Sequence, residues 1–160
     1  DLKSRKLSSI VRQCRDIPGQ ELFQYYDSEG GRHTIDSGSV NQYIKEASGG
    51  PFTAKDIRTW TGTLHALSAF RELGCSTDEK ETKQRVLAML DTVAERLGNT
   101  RAVCKKYYVH PLVMDLFCNG KLAGFFGETP EEKDVSKEYT QDELLLLRLL
   151  ASAKNTVLSS

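Results

Sequence analysis

Residues 78–98, DEKETKQRVLAMLDTVAERLG, decide the fold class. Val86, Met89, Leu90, Val93 and Leu97 return at helical spacing and leave the charged residues on the opposite face, so this stretch predicts an amphipathic helix against a core. Asp78 opens this helix and Gly98 interrupts it, Gly98-Asn99 suiting left-handed geometry.

The same pattern extends in both directions. Upstream, Thr53-Ala54-Lys55-Asp56 marks another helix start, with Thr53 as a capping acceptor and Asp56 favourable to the dipole. That helix is expected to run to about Gly74, with Ile57, Thr61, Leu64 and Leu67 on one face. Earlier still, Leu7, Ile10, Val11 and Cys14 place a helix over roughly residues 4–16, ended by Pro18-Gly19. Leu22 to Tyr26 and the loop Asp27 to Gly31 read as a short, extended apolar segment and a turn. A helix capped by Ser37 or Ser39 follows, with Val40, Tyr43, Ile44 and Ala47 inward and Gly49-Gly50 closing it.

Downstream, residues 100–108 read as a helical turn or loop. Pro111 suits the first turn of a short helix reaching Cys118, which Asn119-Gly120 closes. After an acidic, Pro-containing linker, Glu143 to Ala153 forms a last helix. Its leucines, Leu144 to Leu147, Leu149 and Leu150, imply burial on more than one side or an apolar surface for a partner. The expectation is a mainly α chain, an orthogonal helical bundle with little or no β. Residues 1–125 form its body, and 126–160 an acidic linker and C-terminal helix.

Composition narrows the function classes. The 160 residues carry 22 Lys and Arg against 22 Asp and Glu, so net charge by itself gives no support to nucleic-acid binding. Its distribution is uneven. Lys3, Arg5, Lys6, Arg12 and Arg15 crowd the start, and Glu128, Glu131, Glu132, Asp134, Glu138, Asp142 and Glu143 outweigh Lys133 and Lys137 near the end. A protein with one phosphate-facing side fits this, and so does an ordinary solvated surface. No apolar run is long enough to span a bilayer. The start, Asp1-Leu2-Lys3-Ser4-Arg5-Lys6, lacks the apolar stretch of a secretory signal, and without an initiator Met the chain is expected to be a fragment. Cys14, Cys75, Cys104 and Cys118 beside apolar positions read as buried free thiols of a reducing cytosol. His33, His65 and His110 are too widely spaced to suggest zinc, so no metal is expected.

Two stretches carry candidate chemistry. They are Phe52-Thr53-Ala54-Lys55-Asp56-Ile57-Arg58-Thr59-Trp60 and Leu97-Gly98-Asn99-Thr100-Arg101-Ala102-Val103-Cys104-Lys105-Lys106-Tyr107-Tyr108-Val109-His110-Pro111. Without further context, Arg58 pairs with Asp56 or Glu72 on a helix surface, Asn99 caps a helix, and Tyr107-Tyr108 are a core residue and its surface neighbour. A phenol can, however, displace an ester oxygen of a phosphodiester and conserve the bond energy as a phosphotyrosine. A guanidinium can grip two non-bridging oxygens of the five-coordinate transition state, which an ammonium cannot.

The first stretch resembles the K-D-x-R-T segment of type IB DNA topoisomerases, and the second resembles their nucleophile segment, in which a basic pair precedes the tyrosine. Bacterial and poxvirus-like members look most similar, since an apolar residue, His and Pro follow their tyrosine. The resemblance covers about residues 1–125 and implies the C-terminal part of their catalytic domain. It implies Tyr108 as nucleophile, because Asn99 stands nine positions before it, where the family places His or Asn. Tyr107 is off that spacing by one.

Arg58 and Asn99 would then bind the transition state, Asn99 as a hydrogen-bond donor without an ionisable proton. Lys55, Arg101, Lys105 and Lys106 would contact the DNA backbone. The implied partner is double-stranded DNA, with no cofactor, nucleotide or membrane, in the cytoplasm at a bacterial nucleoid. The family also uses a second arginine and a lysine on an upstream β-hairpin, which match nothing here. The resemblance therefore implies that the N-terminal portion of the same protein is needed and that these residues alone cleave DNA negligibly. Tyrosine recombinases are the nearest enzyme alternative, usually with His where Lys55 stands. A non-catalytic helical DNA-binding module is the other.

Overall fold

The computed structural model describes residues 4–127 and 139–157, with side chains of the last helix described to Ser152. The acidic stretch from Glu128 to Glu138 lies outside the described residues. Among those described, the chain is mainly α with one two-stranded antiparallel sheet. It divides into two compact units, residues 1–54 and 55–160.

The first unit contains α1 (Arg5–Arg15), β1 (Gln24–Tyr26), β2 (Arg32–Thr34) and α2 (Ser37–Ser48). Ser4 caps α1 by accepting from the Leu7 N–H at 3.4 Å. Tyr25 pairs with His33 in the hairpin, and their rings stack at 5.3 Å. The turn closes on Asp27, whose Oδ1 accepts from the N–H groups of Glu29 (2.9 Å) and Gly31 (2.7 Å), while Oδ2 meets His33 Nε2 at 2.6 Å.

Helix α2 corrects two expectations. Its cap is Asp36, whose Oδ1 accepts from Ser39 N at 2.7 Å and Ser39 Oγ at 2.9 Å; the carboxylate stands one residue before the first turn, where the free N–H groups point. Its apolar residues are not inward either: Tyr43 is 70% exposed and Val40 40%. The reason is local, since no apolar side chain of this unit is fully buried among the described residues.

The second unit holds the core. It is built from α3 (Ala54–Leu73, beginning at the boundary), α4 (Glu79–Leu97), α5 (Arg101–Val103), a π turn (Cys104–Tyr108), α6 (Pro111–Cys118), α7 (Leu122–Phe126) and α8 (Gln141–Val157). α4 forms as its sequence predicts. Asp78 accepts from Glu81 N at 2.7 Å, Met89, Leu90, Val93 and Ala94 are buried, and Gly98 is left-handed at φ 63°. Gly98 N donates to Glu95 O and Asn99 N to Ala94 O, the paired bonds that close such a helix end.

Helix α3 buries the expected Leu67 and packs the expected Leu64 against the core, but not Ile57. Thr63, Ala66, Leu67 and Phe70 are buried, whereas Ile57 is 52% exposed. Phe70 stacks on Phe117 of α6 at 3.7 Å between ring centres, so burial of these two rings ties the helices together. α8 begins at Gln141, earlier than expected. Thr140 Oγ1 accepts from Glu143 N at 3.3 Å, and Glu143 Oε2 accepts from Thr140 N at 2.8 Å, a reciprocal capping box. Leu145, Leu146 and Leu149 join the core and Leu147 is 41% exposed, so this helix buries one face. The thiols are also corrected: Cys104 is buried in the helical core, Cys75 packs against its edge and is partly exposed, as is Cys14, and Cys118 is exposed.

Candidate active site

One edge of α3 meets the segment 107–110. Lys55, Arg58, Thr59, Gly62 and Thr63 are spaced at i, i+3, i+4, i+7 and i+8, which puts them on one side of the helix. Every one of them makes or permits a contact with that segment. Lys55 Nζ lies 5.5 Å from the Tyr107 ring centre, and Arg58 Cζ lies 4.8 Å from that of Tyr108. Thr59 Oγ1 lies 3.1 Å from Tyr107 O and 2.9 Å from Lys55 O. A side chain at Gly62 would overlap the Tyr108 carbonyl oxygen, so the close approach of the two segments requires glycine there.

Arg58 is the centre of the arrangement. Its Nη2 donates to Leu97 O at 3.0 Å, one of the last carbonyls of α4, where the helix dipole favours a cation. The Asn99 amide donates to the same carbonyl at 2.9 Å. Arg58 and Asn99, 41 positions apart in the sequence, thus share one acceptor. The Arg58 Nε is buried and has no hydrogen-bond partner among the described residues. Such a donor is costly to leave unfilled.

Tyr108 lies at the end of the π turn, where Val109 N donates to Cys104 O at 3.0 Å. A π turn inserts one extra residue per hydrogen-bonded ring, and here it leaves Cys104 buried, Tyr107 44% exposed and Tyr108 partly buried against the core. Burial pushes the Cys104 thiol pKa up, with the Arg58 charge opposing, which suits a packing role rather than a reactive one. His110 caps α6, its Nδ1 accepting from Leu112 N at 3.2 Å.

The remaining candidates divide. Lys55 and Lys106 flank the Tyr107 ring, Lys106 Nζ at 5.0 Å. Lys105 is exposed on the turn. Arg101 is engaged elsewhere: its guanidinium grips both carboxylate oxygens of Asp91 on α4, Nη2 to Oδ2 at 2.7 Å, and the Asp91 charge holds it firmly protonated. The Arg58 guanidinium reaches across to Leu97 and Tyr108 rather than lying on the helix surface alone. Sequence reasoning did not single out Thr59, Gly62 or Thr63. Their spacing from Arg58 on one helix edge was the available signal, and it needed knowledge of which edge the tyrosines meet. Among the described residues, no cluster of three His, Cys, Asp or Glu is placed to hold a metal ion.

Chemically, the site offers a phenol with a guanidinium against its ring, a second amide donor beside it, and ammonium groups on the adjoining surface. These groups suit binding of, and attack on, an anionic ester. Comparison with known proteins fits this chemistry. The profile of a family described as "Eukaryotic DNA topoisomerase I, catalytic core" matches residues 1–119. The DNA topoisomerase 1B of Acanthamoeba polyphaga mimivirus is 28% identical over 155 residues, covering 92% of this chain. The chain spans 43% of that relative's length.

Proposed function

Because this chain belongs to the type IB DNA topoisomerase family, we propose that it supplies Tyr108 as the nucleophile with which the whole protein breaks and reseals one strand of duplex DNA. The phenol oxygen attacks the phosphorus of a backbone phosphodiester. The new O–P bond forms as the bond to the 5′ oxygen breaks, the phenolic proton is lost, and the leaving oxygen takes one up. The product is a 3′-phosphotyrosyl link that stores the energy of the broken ester. The free 5′ end swivels to release supercoils, and its hydroxyl then attacks the phosphotyrosine in the reverse step.

Arg58 holds the non-bridging oxygens while charge builds on them, and the second N–H of the Asn99 amide is left to donate alongside. Lys55 and Lys106 steady the flanking backbone, with Lys105 on the same surface; Arg101, already gripped by Asp91, contributes less. The observation that carries this reading is the Arg58 guanidinium lying against Tyr108 with a buried, unpartnered Nε.

The test uses the full-length protein and a suicide duplex that traps the covalent state. Wild type is expected to form an adduct whose modified peptide contains residue 108, and Tyr108→Phe to lose the adduct while retaining DNA affinity. An adduct mapped to Tyr107, or one that persists in Tyr108→Phe, would remove the basis of the reading.

A further inference from the structure

We propose that Thr63 is a positioning residue for Tyr108: its hydroxyl and the neighbouring Gly62 form a seat on α3 that fixes where the phenol stands relative to Arg58. This rests on Tyr108 being the nucleophile. Thr63 is only 2% exposed and is the one buried polar side chain in the second unit among the described residues. A hydroxyl in a helical core is costly unless bonded, and each bond of this one bears on the tyrosine segment or on the helix beneath it. Thr63 Oγ1 donates to Thr59 O at 2.7 Å and accepts from His110 N at 3.1 Å, with Tyr108 O 3.5 Å away as a second acceptor for its proton.

One helical turn earlier, Thr59 Oγ1 reaches Tyr107 O at 3.1 Å. The N–H of His110 is thus met by the Thr63 hydroxyl, and the carbonyls of Tyr107 and Tyr108 stand 3.1 and 3.5 Å from hydroxyls that also reach, more closely, carbonyls of α3 itself. Gly62 completes the seat, since a Cβ there would stand 3.1 Å from Tyr108 Cβ and 3.2 Å from Leu97 Cδ1 as well as overlapping the carbonyl. The helix that carries the anion-binding guanidinium therefore also sets the backbone of the nucleophile. Their separation is fixed by one rigid element, which is what attack on a held phosphate requires.

Valine has the shape of threonine without the hydroxyl. In the full-length protein, Thr63→Val is expected to lower single-turnover cleavage of a suicide duplex roughly tenfold to a hundredfold, the scale of a small misplacement of reacting atoms. DNA affinity, read in a Tyr108→Phe background, is expected to be unchanged. Thr63→Ser, which keeps the hydroxyl, recovers most of the rate. Thermal melting establishes that each variant is folded. Cleavage by a folded Thr63→Val at the wild-type rate overturns the proposal, and so does a Thr63→Ser as slow as Thr63→Val, because bulk rather than the hydroxyl would then be at work. Should Thr63→Val not fold, Thr63→Ala removes the same hydroxyl: slow cleavage with affinity retained, recovered by Thr63→Ser, supports the seat, and wild-type cleavage overturns it. If Tyr108→Phe still forms adduct, the nucleophile assignment has failed; if it does not and the Thr63 series shows no effect, only the seat has failed.

Discussion

At the scale of the residue, Arg58 shows how position converts an ordinary side chain into a candidate catalyst. An arginine three residues after Lys55 on a helix is usually solvated. Here the backbone of α4 turns its last carbonyl toward it, Tyr108 covers it, and its Nε is left buried without a partner. A planar fork with one edge anchored on a carbonyl is already oriented for an anion. Arg58→Ala in the full-length protein is expected to slow strand cleavage by roughly a hundredfold to a thousandfold, as loss of one oriented donor to a developing oxyanion does. Arg58→Lys is expected to restore little of it, since an ammonium cannot hold Leu97 O and a phosphate together. Equal rates for the lysine variant and wild type, in single-turnover cleavage, would show that charge alone suffices.

At the scale of the element, the helices of the second unit are held less by their own propensities than by what they bury. α3 is the example. Its first residues are polar and carry the site, while Phe70, four turns on, stacks against Phe117 of α6. Phe70→Ala is expected to destabilise the fold by about 3–5 kcal/mol, the usual cost of emptying a buried aromatic position. A shift in the urea midpoint at unchanged slope would measure it. The boundaries of α4 were legible because Asp78, Gly98 and the apolar stripe are local signals that need nothing from the rest of the chain. The face of α3 was legible only in part: Leu64 and Leu67 pack as expected, but Ile57 and Thr61 fit a helical stripe as well as Thr63 and Phe70 do. The π turn was not legible, since its extra residue depends on Cys104 being drawn into the core. The Thr140–Glu143 capping box was written in the sequence and is missed when the helix start is judged from leucines alone.

At the scale of the molecule, several titrating groups shift in the same sense. Burial, helped by the Arg96 charge, holds the His65 pKa below its ordinary 6.5. The backbone N–H of Thr140 lowers Glu143, the Lys83 ammonium lowers Glu79, and Ser76 with Arg85 lowers Glu81, all below 4.5. Asp27, bonded to His33, and Asp36, bonded to Ser39 N, lie below 3.8. In each case the unfolded chain binds protons more readily than the folded one, so stability is full above the unfolded value and is lost as pH falls toward the folded one. The melting temperature is therefore expected to decline first below about pH 6.5, from His65, and again below about pH 4.5, from the carboxylates. His65→Gln is expected to abolish the first decline and leave the second; a melting curve of unchanged shape near pH 6 in that variant would contradict the assignment. On the same scale, the sequence by itself determined the helical class, most helix ends, and the family, because periodicity, caps and the two short motifs are written in neighbouring residues. Only the tertiary structure decided that Arg58 and Asn99 meet at Leu97 O, that Arg101 turns to Asp91, and that Gly62 and Thr63 underlie Tyr108. Those contacts join residues about 10 to 46 positions apart, and which of them meet depends on how helices rotate to bury their apolar faces.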